Sequence, residues 1–543
     1  MRRLYLGVCV PRMLYAADIF LSPPPLNRTL YGRSMGCRQR GIVRKLRSIQ
    51  RRAALAITGA LRSTAGEVLD IYANLLPVEH LIEKVRAGAA LRIATLPTSH
   101  PLHQAARREA ALKRPRHPSP LHDLMADFAL RPNRMEQLKA VRFPATWLPQ
   151  IRTSILSSKE DAVEAAKSDP STYQVYTDGS GIDGQIGASA VLYKRGIEVN
   201  TLRFHLGSDE QHTVFEGEGV GGCLAIHLLT QLETLQGPVS IYVDSQPAIR
   251  ATQTLTSTPS HWIWDLWHDL AAALVDRHPT VEVTIRWSPG HVGITGNERA
   301  DEEAKRAAQE RSSSPKDHLP ARLWRTLPWS RSATKQLLDA ERKTNVQKDW
   351  VASTRHKKTM AFDPKLAKGS YITLADSLPR SLAVLVLQLR TGHVPLAKHL
   401  HRIRKADSPI CPLCRQADES VGHFLLWCPH HAAARQLLYS AAGPDSLALH
   451  RLLGTGNILP HLLRFLGRTG RFRSVHGALP PPPDPEKPPP RETFNFLAHF
   501  RMPQRITRDA DPFNDPRAPP GLLEAWAAMQ LENVRDDQIP LPA

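Results

Sequence analysis

The chain has 543 residues, 42% of them hydrophobic, and 71 Lys and Arg against 51 Asp and Glu give a formal net charge of +20. This length is enough for several domains, and the six cysteines are too few for a disulfide scaffold. No uninterrupted apolar stretch reaches membrane-spanning length, and Pro11 and Arg12 interrupt the short apolar run near the start, which argues against a signal peptide. The basic excess predicts a polyanionic partner, most simply a nucleic acid, although charge alone leaves a merely soluble basic protein open.

Residues 1–150 are predicted to be helical and basic. In the stretch "GIVRKLRSIQRRAALAITGALRS", apolar side chains recur at helical spacing, namely Ile42, Leu46, Ile49, Ala53 and Ile57. Between Cys37 and Gly66 there are eight Lys or Arg and no acid. This face is either solvated or a phosphate-contacting surface, and the sequence does not decide between the two. Residues 151–169 are expected to be a linker.

Residues 170–310 have the pattern of one mixed α/β domain. Three β-rich runs come first, at 172–178, 186–196 and 197–207, with Gly196 at the turn between the last two. Helical and β-rich stretches then alternate, with helices predicted at 212–235, 262–278 and 297–310 and strands at 238–245 and 281–289. The order predicts a mixed sheet with flanking helices, in a domain of ordinary size, about 140 residues.

Four carboxylates stand where predicted strands end or helices begin: Asp178, Glu218, Asp244 and Asp301. Each has an ordinary explanation, because Asp-Gly pairs form turns, a buried Glu pairs with a cation, and Asp stabilises helix starts. Glu218 lies on the apolar stripe of its helix, where an uncompensated charge is costly, whereas Glu216 points elsewhere. Together the four acids favour a hard-cation site, since Mg²⁺ prefers carboxylate oxygens and two ions can share four acids.

The segments "YTDGS", "TVFEGE", "YVDSQPAIRA" and "GHVGITGNERAD" resemble the type 1 ribonuclease H family in order and spacing. The resemblance implies an RNase H-like α/β fold and an endonuclease that cuts the RNA strand of RNA–DNA hybrids. It also implies two Mg²⁺ or Mn²⁺ ions at the active site, which activate a water and stabilise the leaving oxygen. Such an enzyme distinguishes the RNA strand by its 2′-hydroxyls, and contacts to the backbone make cleavage largely independent of sequence.

The resemblance assigns roles position by position. The metal-binding acids are Asp178, Glu218, Asp244 and Asp301. His291 matches the family's loop histidine, which assists proton transfer or product release. Three further residues match positions that contact the hybrid: Ser180, Gln246 and Asn297. The family often has larger helix formers where this chain has Gly217 and Gly219, and Glu216 is therefore an alternative ligand, although spacing and the inward stripe favour Glu218.

Residues 311–405 are expected to be a basic helical connector, and residues 406–431 contain a Cys/His motif. Its ligands follow the spacing C-x2-C-x8-H-x4-C: Cys411, Cys414, His423 and Cys428. Three thiolates and one imidazole suit tetrahedral Zn²⁺ and leave no open position, which predicts a structural zinc. Chance clustering of buried thiols is the alternative, and His430 and His431 are spare candidates with poorer spacing.

The motif resembles the C-terminal Cys-Cys-His-Cys motif of non-LTR retrotransposon polyproteins, and the N-terminal segments are similar to the region between polymerase and RNase H in fungal elements of this type. A polymerase palm needs an aromatic-x-Asp-Asp turn for its metals. The only Asp-Asp pair in the sequence is Asp536–Asp537, without a predicted strand around it, so the palm is expected to be missing. The chain is therefore expected to be the downstream part of a retroelement reading frame. A proline-rich linker (479–491) and a partly disordered tail (492–543) are expected at the end.

Two alternatives to the nuclease remain: a hybrid-binding protein and an inactive retroelement remnant. The expected partner is an RNA–DNA hybrid and not a membrane, while protein partners are left open. The compartment is expected to be intracellular, and the sequence does not decide between nucleus and cytoplasm.

Overall fold

The computed structural model describes residues 1–21, 37–113, 116–144, 146–290, 292–443, 448–454 and 456–482. Three predicted features lie outside these residues: the proline-rich linker beyond residue 482, the tail 492–543 and the Asp536–Asp537 pair. All described residues belong to one compact unit, Met1–Pro482.

The N-terminal region is helical, as the sequence predicts. Short helical turns lie between Arg2 and Phe20, and longer helices follow: α1 (Cys37–Thr58), α2 (Gly66–Tyr72), α3 (Val78–Ala94), α4 (Pro101–Ala111) and α5 (Pro120–Asp127). Helix α1 buries Val43 and Leu46 against α2 and α3 and leaves Arg44 and Lys45 exposed. The helical periodicity of this stretch thus separates a packed stripe from a basic face.

Among the described residues, six strands form one mixed sheet in the order β1-β6-β5-β2-β3-β4. Their bounds are β1 (Arg152–Ser154), β2 (Tyr173–Ile182), β3 (Gln185–Lys194), β4 (Ile197–Ser208), β5 (Val239–Val243) and β6 (Val283–Trp287). Strands β2, β3 and β4 are antiparallel, whereas β1, β6, β5 and β2 run parallel. This mixed sheet confirms the predicted fold class.

The predicted linker, residues 151–169, contains regular structure. Strand β1 lies there and pairs with β6, and helix α6 (Lys159–Lys167) follows it. A three-residue strand is too short to give a periodic sequence signal, so its place in the sheet follows only from the fold.

Helices cover both faces of the sheet: α7 (Val214–Thr230), α8 (Gln246–Ala251), α9 (His261–Arg277) and α10 (Thr295–Gln309). Because side chains alternate along a strand, Val175 of β2 packs in the core with α7, while Tyr176 packs beside Ala300 of α10. Helix α7 is buried almost all round, between the sheet and α9.

The glycines of α7 have a packing reason. A Cβ on Gly217 would lie 2.9 Å from the carbonyl oxygen of Gly187, and a Cβ on Gly219 would lie 2.9 Å from Ile263 Cγ2. Larger residues at these two positions would separate the helix from its neighbours. The departure from the ribonuclease H pattern therefore allows α7 to approach both the sheet and α9 closely.

The rest of the described chain is mostly helical. Its helices of six or more residues are α11 (Arg331–Ala352), α12 (Ser370–Ser377), α13 (Arg380–Thr391), α14 (Ala397–Arg402), α15 (Ala432–Ala442), α16 (Leu449–Gly454) and α17 (Leu459–Thr469), and two shorter ones are His356–Met360 and Arg473–His476. Leu385 of α13 and Leu462 of α17 are fully buried in one core with Phe424 of the Cys/His motif. Within the described part of the chain, no helix is both long and apolar enough to span a membrane.

Candidate active site

Neighbouring parallel strands bring Asp178 and Asp244 together. Strand β2 pairs with β5 through Thr177 and Val243, the residues that directly precede the two acids. Asp178 lies inside β2 opposite Ser189 of β3, and the Asp-Gly turn considered from the sequence is therefore absent at this position. Asp244 follows β5, but Ser245, not Asp244, caps the next helix, since its Oγ accepts from Ala248 N. The local explanations for these two acids are thus not the ones that the fold uses.

The two glutamates of α7 have different environments. Glu216 belongs to the capping box at the helix start: its Oε2 accepts from Thr213 N at 2.8 Å, and its Oε1 accepts from Ser260 Oγ at 2.9 Å. Glu218, half a turn further, lies beside Asp178 and Asp244. Of the two glutamates that the sequence left open, only Glu218 is available as a metal ligand.

Asp178, Glu218 and Asp244 form what we call the carboxylate cluster. One carboxylate oxygen from each residue lies within 4.8 Å of the others. Asp178 is 6% and Glu218 7% exposed, and Glu218 Oε2 is buried without a hydrogen bond from the described residues. Three acids from two strands and a helix thus converge on one point.

Crowding and burial make this cluster electrostatically unfavourable by itself. Burial, followed by the charges of Asp244 and Asp301, raises the pKa of Asp178 to about 7. Burial, followed by the charges of Asp244 and Asp178, raises the pKa of Glu218 well above its usual value. A cation between the oxygens would remove the repulsion and satisfy the unpaired Glu218 oxygen. The all-oxygen donor set fits a hard ion such as Mg²⁺ or Mn²⁺.

Asp301, the fourth predicted acid, is near this cluster but not part of it. Its charge contributes to the raised pKa of Asp178, yet Lys305 Nζ donates to its Oδ2 at 2.5 Å. The two residues are one helical turn apart on α10. Lys305 was not among the predicted site residues, although the i, i+4 spacing in "DEEAK" is a signal for the pair.

The remaining predicted residues surround the cluster to different degrees. His291 lies outside the described residues. Its neighbour Gly290 is close to the cluster, because a Cβ there would lie 3.2 Å from Asp244 Oδ2. Ser180 and Gln246 are partly exposed, and Gln246 Oε1 accepts from Arg250. Asn297 is 4% exposed, and its Oδ1 has no hydrogen bond within the described part of the chain.

A second ligand group, which we call the thiol cluster, lies in the C-terminal region. It consists of Cys411, Cys414, His423 and Cys428, and one ligand atom from each lies within 4.8 Å of the others. The Sγ atoms of Cys411 and Cys428 are 3.9 Å apart, and Cys414 Sγ is 3.3 Å from His423 Nε2.

Local backbone structure and packing hold the thiol cluster. A tight turn joins its first two cysteines, with Arg415 N donating to Cys411 O and Arg415 itself at φ +60°. The buried Arg435 donates to the carbonyl of Cys428 at 2.7 Å. His431, a spare candidate from the sequence, instead packs against the ring of Phe424. The three thiols and one imidazole of the thiol cluster fit a closed tetrahedral zinc site.

Comparisons with known proteins agree with the sheet domain. Residues 170–309 match the sequence profile of the RNase H family, and comparison with curated protein sequences finds no match. The family match ends before the thiol cluster, and the relationship to retrotransposons stays a prediction.

Solved structures with similarity to the chain include LC11-RNase H1 in complex with an RNA/DNA hybrid (18% identity, 26% of this chain and 98% of that chain, TM-score 0.22). They also include the prototype foamy virus protease–reverse transcriptase (22% identity, 26% of this chain and 22% of that chain, TM-score 0.21). A third is RNase H1 from the halophilic archaeon Halobacterium salinarum NRC-1 (18% identity, 26% of this chain and 98% of that chain, TM-score 0.21).

Proposed function

We propose that the protein is a ribonuclease H, an endonuclease that hydrolyses the RNA strand of RNA–DNA hybrids. The observation that carries the proposal is the carboxylate cluster, in which the buried Asp178 and Glu218 and the partly exposed Asp244 of an RNase H-like domain converge within 4.8 Å. Maintaining such repulsion is costly for folding, and it is common where a protein must bind cations for catalysis.

In this proposal Asp178, Glu218 and Asp244 hold the ions through their converging oxygens. Two bound Mg²⁺ ions would activate the attacking water and stabilise the leaving oxygen of the phosphodiester. Asp301 completes the acidic set once Lys305 turns away from it. His291 carries the family's role in proton transfer or product release.

The substrate contacts in this proposal are Ser180, Gln246 and Asn297. Gln246 begins helix α8 directly after β5, and Ser180 follows the cluster's Asp178 along β2. Amide and hydroxyl groups in such positions donate to and accept from the 2′-hydroxyls that distinguish RNA from DNA. The thiol cluster holds Zn²⁺ in a structural role, since four protein ligands leave no position for a substrate.

A hybrid-binding protein with weak or no cleavage is the second candidate. The observation in its favour is the Asp301–Lys305 pair, which keeps the fourth acid out of the carboxylate cluster. An inactive retroelement remnant would have the same features. A retroelement fragment without a palm would also fail to extend a primer on a templated substrate.

The decisive experiment uses the purified full chain with a labelled RNA–DNA hybrid, alongside single-stranded and double-stranded RNA. We expect cleavage of the hybrid only, loss of cleavage with EDTA, and recovery with Mg²⁺. The Asp244→Asn variant should bind hybrid but not cut it, because the amide keeps the shape and removes the charge. Hybrid bound but uncut by the folded wild-type chain would select the binding protein, and an active Asp244→Asn variant would refute the site assignment.

A further inference from the structure

The loop after helix α1 meets helix α14 in a polar cluster that the proposed cleavage does not use. Ser63 Oγ lies 2.9 Å from His393 Nδ1 and 3.1 Å from His399 Nε2. Arg402 Nη2 lies 2.8 Å from His399 Nδ1 and 3.4 Å from His393 Nε2. Ser63 is 336 residues from His399 in the chain, so this arrangement has no local sequence signal. We call these four residues the Ser63 cluster.

The guanidinium of Arg402 determines which atoms donate and which accept in the hydrogen bonds of the Ser63 cluster. Arginine only donates, so the two ring nitrogens that face Arg402 accept. Each histidine then carries its proton on the other nitrogen and donates it to Ser63 Oγ. The serine oxygen accepts two hydrogen bonds, and its own proton has no acceptor among the described residues. The exposed Ser63 hydroxyl therefore acts as a donor toward an incoming group.

The surroundings of the Ser63 cluster are cationic. Burial, followed by the charges of His399, Arg402, Lys358 and Arg355, lowers the pKa of His393 to about 4. Lys358 Nζ lies over the backbone before His393, since a Cβ on Gly392 would be 3.7 Å from it. Neither Lys358 nor Arg402 has a carboxylate partner in the described part of the chain.

Nearby acids are already paired with other cations. Asp418 pairs with Lys398 at 3.1 Å, and Glu419 pairs with Arg471 at 2.6 Å. Asp363 pairs with Arg390, and Glu67 pairs with Arg355. The positive charge of Arg402 and Lys358 is thus left without a protein counterion, which is the condition for binding an external anion.

A cavity of about 600 Å³ opens beside this cluster, within the size range of small-ligand sites. Lys358, His399 and Arg402 line one part, and apolar side chains such as Phe362 and Leu389 line another. Pro409, just before the thiol cluster in sequence, and Val421, between Cys414 and His423, also line the wall. A charged group at the rim and a flat apolar group inside would both find complementary surface.

We propose that the Ser63 cluster is a phosphate-binding site, whose ligand is a phosphate group of single-stranded nucleic acid or of a free nucleotide. Ser63 donates its hydroxyl proton to a phosphate oxygen. Arg402 donates through the guanidinium N–H groups that its two histidine contacts leave unused, and Lys358 supplies a further charge. The site is separate from the carboxylate cluster, so it does not depend on ribonuclease activity.

The test uses the full chain and two probes: a short fluorescein-labelled single-stranded RNA and ATP. Anisotropy gives the RNA affinity over a range of salt concentrations, and competition gives the ATP affinity. The variants are Arg402→Gln and Ser63→Ala, with Arg277→Gln as the matched control, an exposed arginine at the end of α9. Thermal unfolding of each variant checks its folding.

For a strand phosphate, we expect Arg402→Gln to weaken RNA binding roughly tenfold and to reduce the slope of log affinity against log salt by about 0.7. Ser63→Ala should weaken binding roughly two- to tenfold, by loss of one neutral hydrogen bond. Arg277→Gln should behave as wild type. A loss confined to ATP, with RNA binding unchanged, would assign the site to a free nucleotide.

Unchanged affinity for both probes in Ser63→Ala and in folded Arg402→Gln would overturn the proposal. If Arg402→Gln does not unfold like the wild type, Ser63→Ala decides alone, because an exposed serine is replaceable without loss of packing. A loss of equal size in Arg277→Gln would also overturn it, since the effect would then be one of net charge.

Discussion

The carboxylate cluster and the thiol cluster are built in opposite ways. The thiol cluster takes its four ligand residues from 18 consecutive positions, Cys411 to Cys428. The carboxylate cluster takes three acids from two strands and a helix, which only the sheet brings together. The thiol cluster is therefore a local structure, whereas the carboxylate cluster depends on the fold of the whole sheet domain.

The two clusters also differ in what their ligand residues do for stability. We expect thiolates and an imidazole around zinc to cross-link the segment Cys411–Cys428, so that the ion would contribute to folding. Without an ion, the carboxylates of Asp178 and Glu218 oppose folding, because they are buried and lie beside each other and Asp244. Loss of a thiol ligand should therefore reduce stability and spare catalysis, whereas loss of a carboxylate ligand should do the reverse.

The largest expected effect is on the thiol cluster. Cys414→Ser should release the bound zinc and destabilise the C-terminal helices by more than about 3 kcal/mol, because structural zinc contributes about 10–16 kcal/mol of binding free energy in zinc-finger peptides. Hybrid cleavage should persist. Metal analysis, limited proteolysis and the cleavage assay measure the three outcomes, with the exposed Cys9→Ser as control. Retained zinc in Cys414→Ser would contradict the ligand set.

The adjacent glutamates of α7 provide the sharpest test of the carboxylate cluster. Glu218→Gln should reduce hybrid cleavage more than about 100-fold, beyond the 10–100-fold effects of outer-shell partners, with no loss of stability. Glu216→Gln should reduce stability by about 0.5–2 kcal/mol through the capping box and keep cleavage. Thermal unfolding and initial cleavage rates separate the two. An equal loss of activity in both variants would show that Glu218 is not specifically required.

The sequence predicted some of these features and could not predict others, for physical reasons. The mixed sheet and its flanking helices follow from alternation and helical periodicity, and the structure confirms them. Strand β1, with three residues, has no such signal. The choice between Glu216 and Glu218 depended on Ser260, 44 residues away, which only the fold brings to Glu216 Oε1. The Ser63 cluster could not be predicted, because Ser63 is 336 residues from His399 and only the fold brings the two together.

Gly179 tests how closely the carboxylate cluster depends on backbone packing. A Cβ on this residue would meet the backbone of Glu218 and Gly217, so Gly179→Ala should push α7 away from β2. We expect the free energy of unfolding to fall by about 1–3 kcal/mol, and cleavage to be lost because Glu218 moves away from Asp178. Gly41→Ala, in open space on α1, is the control and should stabilise by about 1 kcal/mol or less. Denaturant unfolding that gives equal stability for Gly179→Ala and wild type would contradict this packing.

The pH dependence of the EDTA-treated protein should measure most directly what burial and crowding of the carboxylate cluster cost the folded state. The pKa of Asp178 is about 7 in the folded chain, whereas the unfolded value is about 4. Between these values the folded state holds a proton that the unfolded state has released, so the free energy of unfolding should fall as pH rises from 4 to 7.

Asp178→Asn should remove the contribution of this residue to the slope of the free energy of unfolding against pH. Asp183 is an exposed acid in the β2–β3 turn, and Asp183→Asn should leave the slope unchanged. Saturating Mg²⁺ should remove it in the wild type as well, because an ion that holds the ionised carboxylate makes deprotonation favourable in the folded state. Denaturant unfolding at several pH values, with and without Mg²⁺, measures the slopes. If the wild type and Asp178→Asn have the same slope without metal, neither burial nor repulsion of this carboxylate opposes folding, and the contrast with the thiol cluster would rest on catalysis alone.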